Sequence, residues 1–290
     1  MSDGDGLYRF VFENAGVRGE LVHLDASWQA MLKGRDYPDP VRDQFGQAMA
    51  AAALLSGTIK FEGSLILQAQ GPGPLTTLVA QATNERSLRG LARWNDEVPA
   101  DAPLPDVFGD GRVVITVSPD KGERYQGIVP LKGDKLEDAL GVYFEQSEQL
   151  QTRLWLAADG GRAAGLLIQV LPSESGHEED WNRIGTLAET VTRQELLQLP
   201  ADQLLYRLFN EEQVRLFDPE PLSFRCGCSQ ERISDSLRAL GRSELEDILS
   251  EQGVIEVDCE FCNRHYRFDP VDVEQLLSTG PQHNAPATTQ

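Results

Sequence analysis

At 290 residues the chain is long for one compact domain and comfortable for two, and its 40% apolar and 25% charged content suits a globular protein with a sizeable core. Forty-six acidic residues against 26 basic ones give a formal net charge of −20. Such a surface repels phosphate backbones and anionic headgroups, so nucleic acid and membrane surfaces are poor partners on charge.

The N-terminus, Met-Ser-Asp-Gly-Asp-Gly, has neither a basic start nor an apolar run, so no signal peptide is expected. No stretch approaches the roughly 20 apolar residues of a membrane span. The expected location is the cytoplasm, where thiols stay reduced. Residues 7–25 alternate like strands, with Leu7, Arg9, Val11 and Glu13 on one side and Tyr8, Phe10 and Phe12 on the other. Asp39-Pro40 opens a helix, Asp as cap and Pro in the first turn, and the Ala-rich residues 41–55 continue it as a buried helix. Strands are expected at Thr58–Gln70, Leu75–Ala82, Leu88–Trp94, Arg112–Val117 and Tyr125–Val129. Gly71-Pro72-Gly73-Pro74 reads as a tight turn; it lacks the lysine and the following helix of a phosphate loop. Lys135–Leu150 reads as a helix, and Leu154–Ala158 and Gly165–Leu171 as strands around the Gly160-Gly161 turn.

From Ser173 to Leu222 eleven acids face four arginines, yet Trp181, Ile184, Leu187 and Val191 recur at helical spacing. Thr192-Arg193-Gln194-Glu195 is a capping box, and Leu204, Leu205, Leu208 and Phe209 form another apolar face. These are amphipathic helices with little core of their own, which must lie on something else and should be among the less stable parts of the fold. A small module follows. Ser229–Leu240 and a second helix opened by Ser243-Glu244-Leu245-Glu246 and closed by Gly253 precede short strands at Val254–Val257 and His265–Phe268. Asp269-Pro270 caps a last helix through Leu277, and residues 279–290 read as a disordered tail. The whole is α+β: an N-terminal α/β-sheet domain over residues 1–172, a helical linker over 173–222, a small C-terminal zinc-binding domain over 223–278, and the tail.

All four cysteines of the chain lie in that small module, as Cys226-Gly227-Cys228 and Cys259-Glu260-Phe261-Cys262, with thirty residues between the pairs. Gly227 is expected to relieve the backbone between the first two sulfurs. Four thiols so clustered are a tetrahedral metal site or a set of oxidisable pairs, and zinc is the metal that four thiolates suit. Their neighbours are too polar for four cysteines that merely pack. A thioredoxin-like pair at Cys259 and Cys262 lacks its βαβ unit and leaves Cys226 and Cys228 unexplained. His265 reads as a structural histidine in preference to a ligand; the other histidines, His23, His177 and His283, show no metal pairing. Structural zinc is worth roughly 10–16 kcal/mol of apparent folding energy in small finger peptides, which exceeds what a module this size gains from its core. Thiolates are also what oxidants attack.

The chain resembles the redox-regulated holdase chaperones of the heat shock protein 33 family. The resemblance rests on the Cys-X-Cys, thirty-residue, Cys-X-X-Cys pattern, on Tyr143-Phe144-Glu145-Gln146-Ser147-Glu148-Gln149, on the Gly71–Leu75 turn, and on the Gly165–Pro172 strand. It covers nearly the whole chain. It implies a reduced, zinc-bound, inactive monomer, with Cys226, Cys228, Cys259 and Cys262 as ligands. It implies that oxidation with unfolding stress expels the zinc, forms Cys226–Cys228 and Cys259–Cys262 disulfides, unfolds the linker and produces a homodimer. The N-terminal domain then holds unfolding client proteins without ATP and without enzymatic activity. Where the family usually places proline after its Ser-Glu-Gln, this chain has Leu150-Gln151-Thr152. The alternative of another class, a zinc-ribbon nucleic-acid or transcription module, is disfavoured by six arginines against nine acids between Phe224 and Phe268.

Overall fold

The computed structural model describes residues 4–58, 62–171 and 178–278. The expected tail at 279–290, Pro172, His177 and His283 lie outside these. By internal contacts the chain divides into two compact units, Met1–Arg225 and Cys226–Gln290.

The first unit runs β1 (Gly6–Phe12), β2 (Val17–Leu24), α1 (Ala26–Leu32), α2 (Asp39–Thr58), β3 (Gly63–Gln70), β4 (Leu75–Thr83), β5 (Ser87–Trp94), α3 (Leu104–Phe108), β6 (Arg112–Pro119), β7 (Tyr125–Pro130), α4 (Leu136–Tyr143), β8 (Thr152–Ala158) and β9 (Ala163–Val170). The linker follows as α5 (Glu178–Ala188), α6 (Arg193–Gln198) and α7 (Ala201–Phe209), then β10 (Val214–Leu216), β11 (Glu220–Pro221) and β12 (Ser223–Phe224). One sheet has the order β10-β1-β2-β9-β8, with β11 also on β1; the other has β12-β5-β4-β3-β6-β7. The α+β class expected from the sequence is the class observed. Helix α2 contacts β2, β8 and β9 of the first sheet and β3, β4 and β5 of the second. Its residues Ala48–Ser56 are all buried, as a helix apolar on every side must be. Small residues let the layers close: a Cβ on Gly90 would stand 2.4 Å from the Met49 sulfur, and one on Gly46 2.3 Å from the Ala158 methyl.

Several expectations need correction. The strand expected from Thr58 starts at Gly63, because α2 continues to Thr58. Two arginines of the first sheet stop it: Arg9 donates to the Gly57 carbonyl and Arg18 to the Thr58 carbonyl, each at 3.4 Å, a cationic finish for a helix C-terminus. At the other end the Pro38 carbonyl, not Asp39, accepts the first helical bond, from Arg42 N. The single helix expected over Lys135–Leu150 is α4 followed by a π-helical turn, Phe144–Glu148. Burying both Tyr143 and Phe144 widens that turn, and the Tyr143 hydroxyl donates to Glu148 Oε1 at 3.1 Å. Gln149 ends it at φ 55°, so this turn is set without proline. Helices α1 and α3 and strands β10–β12 were not foreseen; each is short and carries no sustained period. The Gly71–Pro74 segment is the expected turn, with Gly73 N donating to the Phe108 carbonyl at 2.9 Å.

The linker helices do lie on something else. Trp181, Ile184, Leu196, Leu204, Leu208 and Phe209 pack on the face of the first sheet turned away from α2, against Tyr8, Phe10, Phe12, Val17, Leu21, Leu166 and Ile168. The capping box forms as expected: Thr192 Oγ1 accepts from Glu195 N at 3.2 Å, and Glu195 Oε2 from Thr192 N at 3.0 Å. Residues 178–225 thus belong to the same compact unit as the chain before them.

Glu20 on β2 is buried at the α2 side of the sheet, with Arg9 Nε 3.7 Å from its carboxylate. Burial raises its pKa from the ordinary 4.5 to about 7, against the pull of Arg9, Arg18 and Arg86. The folded state therefore holds this proton more tightly than the unfolded chain. The resulting stabilisation is complete below about pH 4.5 and is lost as pH rises through about 7. Its size is on the order of 3 kcal/mol. Thermal melts of Glu20→Gln at several pH values are expected to lose this slope and to show a higher Tm than the parent at about pH 8; an unchanged slope would refute the assignment.

Candidate metal centre

The second unit contains α8 (Gln230–Leu240), α9 (Arg242–Gln252), β13 (Ile255–Asp258), β14 (His265–Phe268) and α10 (Pro270–Ser278). Ser229 caps α8, its Oγ accepting from Arg232 N at 3.3 Å. Gly241, at φ 89°, both ends α8 and precedes α9, so Ser243 sits inside the first turn and the expected capping box at Ser243–Glu246 does not form. Asp269 caps α10, accepting from Val271 N at 2.8 Å and Asp272 N at 2.9 Å. The buried core is small: Leu237, Leu245, Ile255, Phe268, Val273 and Leu276, with Cys259 beside it.

The cysteines are delivered from two directions. Cys226 and Cys228 stand in the irregular chain just before α8. Cys259 and Cys262 stand in the turn between β13 and β14, which antiparallel pairing of Asp258 with His265 closes. Within that turn Cys259 N donates to the Arg264 carbonyl at 2.9 Å and Asn263 N to the Cys259 carbonyl at 2.7 Å, with Asn263 in the left-handed region at φ 57°. Gly227 has no positive φ, so it does not relieve strain. Its missing side chain leaves room for Arg232, whose guanidinium donates to the Gly227 carbonyl at 2.8 Å.

The four sulfurs lie within 4.8 Å of one another. Two of the separations run between the pairs: Cys226 to Cys259 at 3.6 Å and Cys228 to Cys262 at 3.4 Å. Thiolates about 2.3 Å from a central zinc stand about 3.8 Å apart in a tetrahedron. The donor set and its spacing therefore fit zinc. Burial pushes the Cys226 and Cys262 thiols above their ordinary range. Burial also raises Cys228, but the Tyr266 hydroxyl, donating to its sulfur at 3.1 Å, and the neighbouring cysteines outweigh it and bring the thiol to about 7. One thiolate is thus within reach at neutral pH, and a divalent cation would favour the other three. Among the described residues no other group of three or more His, Cys, Asp or Glu side chains has such ligand geometry. His265 lies outside the set, its Nδ1 2.9 Å from Asp258 Oδ1.

Two residues at the heart of the fold had no signal in the sequence. Tyr266 is one. The other is buried His23 on β2, whose Nε2 lies 3.2 Å from the Leu196 carbonyl of α6 and ties the sheet to the linker. Both are reached through tertiary contacts that periodicity does not encode.

A family model described as Hsp33 protein matches residues 5–269. The chain is 61% identical over 289 residues to the 33 kDa chaperonin of Nitrosococcus oceani, covering 100% of this chain and 99% of that one. It is 46% identical over 276 residues to the 33 kDa chaperonin of Shewanella frigidimarina, covering 95% and 96%. In fold it is similar to the crystal structure of the 33 kDa chaperonin (heat shock protein 33 homolog) of Thermotoga maritima, with TM-score 0.83 over 94% of this chain and 98% of that one, at 23% identity. No helix among the described residues is long and apolar enough to cross a membrane.

Proposed function

The chain belongs to the Hsp33 family of chaperones, and on that premise we propose that it is an ATP-independent holdase held inactive by zinc at Cys226, Cys228, Cys259 and Cys262. The observation that carries this reading is the close set of four sulfurs. Bound there, zinc would cross-link the start of a unit with a very small core to its β13–β14 turn and keep its ligands as thiolates.

The chain's own residues supply the rest. Oxidation to Cys226–Cys228 and Cys259–Cys262 disulfides removes every ligand. In the closed state Cys226 stands close to Cys259 and Cys228 to Cys262, across the pairs. Once the unit opens, chain proximity favours bonding within each pair, because closing a loop of over thirty residues costs more entropy than closing one of three or four. Under unfolding stress the linker, residues 173–222, then leaves the first sheet. That uncovers the apolar face carrying Tyr8, Phe10, Phe12, Leu21, Leu166 and Ile168, a surface that unfolding proteins would bind. In this reading residues 1–172 bind clients and dimerise after oxidation, the reduced chain is monomeric, catalysis plays no part, and the protein works in the cytoplasm.

The test is a zinc-release titration with peroxide under mild heat, run beside an aggregation assay on the same sample. One zinc per reduced chain, a silent reduced state, and suppression that rises as zinc is released are expected. Equal suppression before and after oxidation, with zinc retained, would overturn the proposal.

A further inference from the structure

The four sulfurs differ in the donors they face. The Cys228 backbone N–H points to Cys226, and the Arg264 backbone N–H to Cys262. Cys228 instead faces a side chain: the Tyr266 hydroxyl, 3.1 Å away. Tyr266 is on β14, where it pairs with Val257, and its ring rests on the edge of the unit's core. It thus reaches from the half of the site holding Cys259 and Cys262 to a sulfur of the other half.

From this arrangement we propose that Tyr266 is a positioning residue that sets the oxidation threshold of the switch, its hydroxyl damping the nucleophilicity of the Cys228 sulfur and tying the two halves of the site together. The inference rests on the zinc-thiolate reading above. A hydrogen bond to a thiolate withdraws electron density from the lone pair that must attack an oxidant, and outer donors also orient metal ligands. The reaction at stake is attack by the Cys228 thiolate on a hydroperoxide. A sulfur–oxygen bond forms, the oxygen–oxygen bond breaks, sulfur gives up two electrons, and the departing alkoxide or hydroxide takes a proton from water. The Cys226 thiolate then attacks the Cys228 sulfenic acid; the sulfur–sulfur bond forms, the sulfur–oxygen bond breaks, and the departing hydroxide takes a proton from solvent and leaves as water. Backbone donors to Cys226 and Cys262 are fixed by the fold. The donor to Cys228 is a side chain, which substitution can tune.

Tyr266→Phe deletes one oxygen and keeps the ring. Three measurements on the full chain test the proposal. With Co²⁺ in place of zinc, the sulfur-to-metal charge-transfer band should move to lower energy, a signature that loss of packing alone does not produce. Affinity for zinc should fall about tenfold, the scale of outer hydrogen-bond partners of metal ligands. Sulfenic-acid trapping during hydrogen peroxide treatment should mark Cys228 severalfold faster relative to Cys262 than in the parent. An unshifted band with unchanged labelling of Cys228 would overturn the proposal, and so would a variant that takes up no metal, since the hydroxyl would then be needed for folding. A parent chain that binds no zinc, in contrast, would overturn the underlying function.

Discussion

Chelating the zinc proposed at the four cysteines from the reduced chain is expected, without unfolding stress, to unfold the second unit over residues 226–278 and to leave the first unit folded. The two units differ in what they bury. The first encloses α2 between two sheets and adds a second apolar layer beneath the linker helices. Among its described residues the second has six buried apolar residues besides Cys259 and exposes Leu240 and Val271 on its surface. A segment of about fifty residues with so little interior is below the size at which a core alone suffices. Its ion pairs do not change this: Arg242 with Glu246 and Glu274, and Arg238 with Asp235, are exposed at one or both partners and worth little. Structural zinc is worth roughly 10–16 kcal/mol, against a total of about 5–15 kcal/mol for an ordinary domain, so a zinc held at the proposed site would decide whether the unit folds. Amide hydrogen exchange checks this residue by residue. Protection should vanish across α8, α9, β13, β14 and α10 on chelation and persist in α2, β4 and β9. Cys228→Ser should behave as the chelated parent does. Retained protection in α8 and α9 without metal would show that the sulfurs are not the latch.

Much of this was legible in the sequence, for identifiable reasons. The cysteine pattern, the Thr192–Glu195 cap, the Asp269-Pro270 cap and strands β4, β5, β6 and β7 of the second sheet are written in local chemistry or in clean alternation. What stayed hidden depends on tertiary partners. That α2 runs on to Thr58 depends on Arg9 and Arg18 arriving from another element. The break of α4 into a π-helical turn follows from burying Tyr143 and Phe144 together. Strands β10, β11 and β12 are two or three residues long and exist only because β1 and β5 offer them an edge. At the sulfurs, the donors could be named from the sequence, but not the tyrosine that touches one of them.

The second large effect is expected at the sheet beneath the linker. Phe209 closes α7 at 2% exposure, its ring 4.9 Å from Phe12 edge-on and 6.3 Å from Phe10. Removing such a ring costs about 3–5 kcal/mol, and a carboxylate in its place adds an uncompensated buried charge. Helices α5–α7 have only one apolar face each, so they cannot redistribute that loss among themselves, and the low-stability segment opens first. Phe209→Glu is therefore expected to bare the face of β1, β2 and β9 while the four sulfurs still hold their metal. Under the proposed function the reduced, zinc-loaded variant should suppress aggregation with no oxidant at all. Tyr206→Glu is the matched control: the same helix and the same added charge, at a side chain 75% exposed, where no change is expected. A Phe209→Glu chain that keeps its zinc, opens its linker by hydrogen exchange and remains silent would separate linker release from client binding. It would move the client surface away from this sheet.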